Sequence, residues 1–263
     1  MNKKKRKLKW KNVIIILIVT VLIITLIISI FNIVKWKIDS NKTNEEITNI
    51  QEDIDVDEVE DTENTDIIEP AEEPLKESPY WDYINMNMIN VDFNVLKRIN
   101  PDVVGWVKVN GTNINYPFVQ ANDNKYYLTH SFNKLYNSAG WVFLDYRNNN
   151  TNNKNTIIYA HGRTDKTMFG TLRKVLNNGW LNNTDNLVIK ISTETENSLW
   201  QIFSVYHIPA TNDYLKRILM MIQNIKTSWI WLKIEVVIIS IQMLYQQIIY
   251  LLYQLAIIIM KKW

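Results

Sequence analysis

NTIIYAHGRTDKTMFGTL, residues 155–172, changes character twice within one short stretch. Thr156 to Tyr159 form an apolar run of strand length that stops at Ala160-His161-Gly162, where a polar turn opens. Beyond the turn Met168, Leu172 and Val175 or Leu176 recur at helical spacing and predict a helix from Thr167 to about Leu176. A histidine at the point where a strand stops pairing, beside a glycine, can face a cleft, a common place for a proton-transfer group. The same position also suits a structural imidazole satisfied by its neighbours, and the stretch alone leaves both readings open.

The flanking sequence supplies the rest of a mostly β domain. VGWVKV (104–109), an Asn110-Gly111 turn and NINYPFVQ (113–120) read as a hairpin. Further strands are expected at GWVFLDY (140–146), NTIIYA (155–160), LVIKIS (187–192) and LWQIFSVYHI (199–208). Phe93, Leu96, Lys97 and Ile99 predict a helix that ends before Pro101, because the residue preceding a proline is pushed out of the helical region. Many short strands with one or two inserted helices point to a β-barrel or sandwich.

Upstream, Val13 to Val34 is apolar except for Thr20, Thr25, Ser29 and Asn32, long enough to cross a bilayer as a helix. The seven Lys and Arg residues between Lys3 and Lys11 predict a cytoplasmic N-terminus, with the chain after Lys37 exported. No small-residue cleavage pattern is evident, so residues 1–37 read as an uncleaved anchor. Residues 38–79 carry sixteen Asp or Glu against two Lys, with Pro70, Pro74 and Pro79, and read as an acidic, disordered tether. The folded domain is expected over 80–216. The near-neutral overall charge gives no reason to expect nucleic acid. With no cysteine at all, thiolate metal sites and a cysteine nucleophile are excluded, and the separated His130, His161 and His207 do not make a helical zinc pair. No cofactor is implied.

Through DVVGWVKVNGTNINYPFVQANDNKYYL (102–128), SAGWVFLDYRN (138–148), NTIIYAHGRTDKTMFGTL (155–172) and FSVY followed by DYLK (203–216), the chain resembles the class B sortases, membrane-anchored cysteine transpeptidases of Gram-positive bacteria. The match runs from about Asp92 to Lys216, with Ala160 where the family commonly has glycine. The resemblance implies a sortase-like barrel outside the membrane. It implies that His161 works with a cysteine on a TLxTC strand and an arginine on the next strand. The cysteine attacks a sorting-signal peptide, and an amine of the cell-wall peptide resolves the thioester. It further implies that Asn124, Leu128, Tyr214 and Leu215 line the peptide groove. Ordinary core packing for Leu128 and Tyr214, and a turn role for Asn124, are the alternatives. Arg163 and Asp165 either orient the imidazole or, more simply, solvate the turn. Arg147 reads as a rim residue rather than the family's arginine.

After Lys216 the character changes. Residues 217–263 hold one acidic residue, Glu235, no Gly and no Pro, in runs such as EVVIISIQMLYQQIIYLLYQLAIIIM. A second membrane segment from about Ile234 to Met260 would bury Gln242, Gln246, Gln247 and Gln254 in lipid at high cost. An out-of-frame translation accounts for the tail better. Writing Gln254-Leu255-Ala256-Ile257 as CAA CTT GCT ATA and reading from the third base gives Thr-Cys-Tyr. The same frame carried back through Tyr250 yields TLSTC, provided Leu255 is encoded by CTT. On this reading the barrel is incomplete at its C-terminus and the chain is catalytically dead. The alternative is a non-enzymatic, membrane-anchored surface protein with a sortase-like peptide-binding barrel. A hydrolase using Ser131 or Ser138 with His161 lacks the strand-turn-helix setting that activates a serine.

Overall fold

The computed structural model describes residues 9–54, 56–59, 86–148, 156–209, 236–242 and 253–261. The chain divides into two compact units, Met1–Lys42 and Thr43–Trp263. In the first, helix α1 (Trp10–Asp53) begins, and among the described residues it is the one helix long and apolar enough to cross a membrane. Its large side chains from Ile14 to Val34 are exposed on every side, as a lipid-facing helix requires. The hydroxyls in the run turn inward on their own helix. Thr20, Thr25 and Ser29 donate to Ile16 O, Leu22 O and Thr25 O, so these three donors are satisfied within the helix.

The second unit starts earlier than residue 80, which corrects the tether expected over 38–79 for residues 43–54 and 56–59, the rest of that stretch beyond 59 lying outside the described residues. Residues 43–53 continue α1, and Ile50 and Ile54 are buried in the core with Ile47 packed against it. These isoleucines recur at helical spacing within an acidic segment, so one stripe is apolar while the remaining faces carry charge. Strand β1 (Val56–Val59) then pairs antiparallel with β2 (Met88–Val91). Glu58 on β1 bridges Lys108 at 3.3 Å and the buried Lys190 at 3.1 Å.

Helix α2 (Phe93–Ile99) follows, capped by the Asp92 carboxylate accepting from Asn94 N and closed before Pro101 as expected. Strands β3 (Val103–Val109) and β4 (Asn115–Val119) form the hairpin predicted at Asn110-Gly111. Gly111 sits at φ +66°, a left-handed conformation that explains the residue. Strands β5 (Phe143–Leu144), β6 (Thr156–His161), β7 (Val188–Ser192) and β8 (Asn197–Pro209) complete the body of the sheet. Trp106, Trp141, Tyr127, Phe132 and Phe143 fill its interior.

Two further strands come from the tail, β9 (Val236–Gln242) and β10 (Tyr253–Lys261). The barrel closes in the order β10-β8-β7-β3-β4-β5-β6-β9, with β9 parallel to β6 and antiparallel to β10. The expected sortase-like, mostly β fold behind an apolar N-terminal helix is the one observed, and the described residues of the tail run as strands rather than as a membrane helix. VVIISIQ and YQLAIIIMK are rich in β-branched residues, and the open edges of β6 and β8 offer main-chain partners to any such segment.

The helix expected from Thr167 is shorter. A 3-10 helix spans Gly170–Leu176, and Thr167–Phe169 belong to a turn with Met168 at φ +51°. A backbone bridge between Gly162 and Met168 holds that turn closed, which helical geometry at Met168 would break.

Candidate active site

His161 is the last residue of β6 and is buried at 8 % exposure. Its Nε2 lies 2.7 Å from Leu128 O. A carbonyl can only accept, so Nε2 carries a proton, and in the neutral ring the lone pair belongs to Nδ1. Leu128 ends a 3-10 turn, Tyr126–Leu128, and its carbonyl is backed by Gly140 at φ +59°. A Cβ on Gly140 would come within 2.8 Å of Leu128 O and 2.5 Å of Tyr127 O, so the glycine permits the approach that fixes the imidazole's partner. The structure thus brings together two of the sequence-predicted residues, His161 and Leu128.

The turn after His161 is locked by a buried ion pair. Arg163 Nη2 donates to Asp165 Oδ2 at 2.7 Å, with both side chains at or below one-tenth exposure. Thr167 donates its hydroxyl to Asp165 Oδ1 at 2.6 Å, and Arg163 Nε reaches Thr167 Oγ1 at 3.1 Å. The simpler expectation that these charges solvate the turn is corrected, because they are buried against each other and hold its shape. Phe169 N donates to His161 O at 3.0 Å, so the closed turn braces the histidine backbone. Burial raises the Tyr116 hydroxyl above its ordinary range, helped by the Asp165 charge and opposed by a hydrogen bond with the Met168 backbone.

Asn124 lies elsewhere. Its Nδ2 donates to Asp145 Oδ2 at 2.9 Å, and its Oδ1 accepts from Tyr146 N at 3.0 Å. Asp145 N donates to Ile157 O, four residues before His161 and about 13 Å away along a strand. Asp145 is the hub that sequence reading missed. It also accepts from Tyr159 OH at 2.9 Å, from Arg147 N at 2.9 Å and from the Arg147 guanidinium at 2.8 and 2.6 Å. Burial alone would raise its carboxyl, but these donors hold it down at about 2. The signal available was an Asp at a strand end two residues before an Arg. Arg147, expected at the surface or the barrel rim, has a half-exposed side chain. Ser131 is hydrogen-bonded with Glu46. Tyr214 and Leu215 lie outside the described residues.

The strand beside the histidine is β9, with Gln242 at the register position of His161, Ile241 opposite Ala160 and Ser240 opposite Tyr159. Leu255, the codon position of the recoverable cysteine, is on β10, paired with Ile241 on one side and His207 on the other. One strand therefore separates it from β6. The site holds an oriented imidazole and no sulfur nucleophile.

No family model matches the sequence. The chain is 33 % identical over 129 residues to "Sortase B" of Staphylococcus aureus, covering 49 % of this chain and 52 % of that protein. It is 46 % identical over 87 residues to "Sortase B" of Listeria monocytogenes, covering 33 % and 35 %. A Staphylococcus aureus sortase B–substrate complex superposes with a TM-score of 0.55 at 25 % identity, over 65 % of this chain and 84 % of that one. The chain is a class B sortase homologue. It spans about half the length of the first curated sortase B and about a third of the second. Its fold is sortase-like, mostly β, behind a long apolar N-terminal helix.

Proposed function

We propose that this sortase homologue is a membrane-anchored barrel that keeps the imidazole of a cysteine transpeptidase and lacks the sulfur nucleophile, and so is silent in transpeptidation. The observation that carries the reading is the cysteine-free sequence together with β9 at the edge of β6, with Gln242 in register with His161. A covalent mechanism without its nucleophile has no intermediate to form, a larger deficit than the loss of one supporting contact. The ligand class proposed is the sorting-signal peptide, resting near Leu128. Support comes from the Staphylococcus aureus sortase B solved with its substrate. By the same family reasoning the resolving amine would come from the cell-wall peptide. The basic residues before Val13 support a cytoplasmic N-terminus with the barrel outside. The test is turnover of a quenched sorting-signal peptide, with and without an amine, by the full chain in proteoliposomes. Background rates are expected, and turnover that depends on His161 would overturn the reading.

The origin of the missing sulfur is a separate proposal, an out-of-frame tail. Sequencing the gene across codons 214–263 decides it: CTT at Leu255 with an open second frame is expected, and any other leucine codon there removes the cysteine and the idea. The closed barrel favours a second reading, in which the chain is a peptide-binding surface protein in its given frame. That reading expects stable accumulation in cells and binding of a sorting-signal peptide without cleavage.

A further inference from the structure

We propose that strand β2 and the lysine pair Lys108–Lys190 form a docking site for an extended acidic peptide, and that β1 occupies it as an internal ligand of the barrel. Lys108 on β3 and Lys190 on β7 stand directly opposite one another in the antiparallel register. Like charges so placed repel. The Lys190 side chain is only 6 % exposed, so water does little to relieve it. The surrounding wall carries no counter-charge either. Strands β4, β3, β7 and β8 lie side by side, and NYPFV, VVGWVKV, VIKIS and NSLWQIFSVYHIP contain no aspartate or glutamate.

The compensating charge comes from outside the barrel. Glu58 Oε1 accepts from Lys190 Nζ at 3.1 Å and from Lys108 Nζ at 3.3 Å, one carboxylate oxygen serving both. The hydrogen bond from Lys190 holds the Glu58 carboxyl below its ordinary range against the desolvation that opposes it, and Lys108 adds to the effect. A buried ammonium stripped of its partner is costly, so the site exchanges one carboxylate for another rather than standing open.

The ladder selects a peptide strand over a free anion. β2 has its own hold on the barrel: Ile89 and Val91 are buried in the core, Met88 packs against Val188 and Leu199, and Asn197 Nδ2 donates to Asn90 Oδ1 at 3.2 Å. Onto this strand β1 adds four residues, with Glu58 opposite Ile89 and Val56 packed against the core. Strands added to a sheet edge draw affinity from main-chain pairing and selectivity from side-chain contacts. Here the contact selects a carboxylate. Residues 52–63 carry eight acidic side chains in twelve, so charge, where apolar content is small, is what directs this segment to the lysine pair.

The test acylates the lysines of the full chain in lipid nanodiscs with sulfosuccinimidyl acetate and reads each position by peptide mass spectrometry. Measured against the exposed Lys125, Lys190 should react slowly in the parent and about tenfold faster in Glu58→Gln. A synthetic peptide of residues 55–61, DVDEVED, should restore protection in that variant, and the same peptide carrying Glu58→Gln should not. Equal protection of Lys190 in parent and variant overturns the role of the carboxylate. Lys190 exposed in the variant and left uncovered by DVDEVED, or covered equally by both peptides, overturns the acidic-strand site. Should Glu58→Gln lose the parent's tryptophan emission and prove unfolded, the parent decides alone. Salt at about 1 M, which screens charges beyond about 3 Å, should speed acylation of Lys190 relative to Lys125, and an unchanged ratio overturns the proposal.

Discussion

Replacing Asp145 by Asn tests the hub that ties the 124–128 segment to β5 and β6. Asp145 is 1 % exposed and accepts from Asn124, Tyr159 and three Arg147 groups. Its carboxyl is held at about 2, against 3.8 in the unfolded chain. That difference is equivalent to about 2 kcal/mol once screening at the half-exposed Arg147 is allowed for. The folded-state value is depressed, so this stability is fully present above the unfolded value and disappears as pH falls toward 2. Asp145→Asn removes it at every pH and turns an amide N–H toward at least one donor, for a total cost of about 2–3 kcal/mol at pH 7. The assay is urea unfolding of the full chain in micelles, followed by tryptophan fluorescence, from pH 7 down to 2.5. The parent should lose stability steeply below about pH 4, and the variant should start lower and run flatter. Equal acid slopes for the two proteins would show that the Asp145 network stores no proton-linked energy, and the reasoning would fail.

Glu46→Gln should behave oppositely. Burial raises the Glu46 carboxyl, with the Asn133 N–H and Ser131 hydrogen bonds opposing, so its contribution is complete below 4.5 and lost as pH rises through the raised value. The amide keeps an acceptor for Asn133, so the variant should be more stable than the parent by about 0.5–1 kcal/mol at pH 7 and equal to it at pH 4, measured by the same unfolding curves. Arg163→Met leaves Asp165 buried without its cation and should cost about 3–5 kcal/mol, whereas Arg163→Met with Asp165→Leu should recover much of that; a double variant no better than the single would refute the paired reading. Gln242→Cys puts a thiol on the residue paired with His161, about 4.8 Å away between backbones, and Leu255→Cys puts one a strand further off, about 10 Å. Iodoacetamide labelling should show the thiol at 242 titrating below its ordinary range in a way abolished by His161→Ala, and the thiol at 255 indifferent to that change.

Where the physics was local, the sequence was sufficient. Asn110-Gly111 between two strand-like runs marked the hairpin, whose connection spans residues 110–114, and Pro101 ended α2 where steric exclusion requires. His161 at a strand end was legible because β6 is a plain apolar run that stops at a glycine. Averaging charge over residues 38–79 hid Ile47, Ile50 and Ile54, whose stripe is enough to dock a helix although the segment as a whole is strongly acidic. The Asp145 hub joins residues 120, 124, 147, 148 and 159 through bonds that no spacing rule anticipates. Arg163, Asp165 and Thr167 looked like turn polarity because the bridge that buries them, Gly162 to Met168, exists only in three dimensions.

The fate of the tail separates two requirements that are usually satisfied together. Completing a sheet edge takes backbone donors and acceptors and a segment willing to be extended, and almost any Val- and Ile-rich sequence meets that condition. Completing the chemistry takes one sulfur at one register position, and no amount of strand propensity supplies it. Strands β9 and β10 meet the first requirement and miss the second, since the position opposite His161 is a glutamine and the chain has no cysteine. Were the proposed slipped frame the origin of the tail, it would leave the wall whole while it empties the site. Stability measurements would pass such a chain as intact, and the thiol-scanning contrast between positions 242 and 255, read beside the gene, is what tells a closed barrel from a working one.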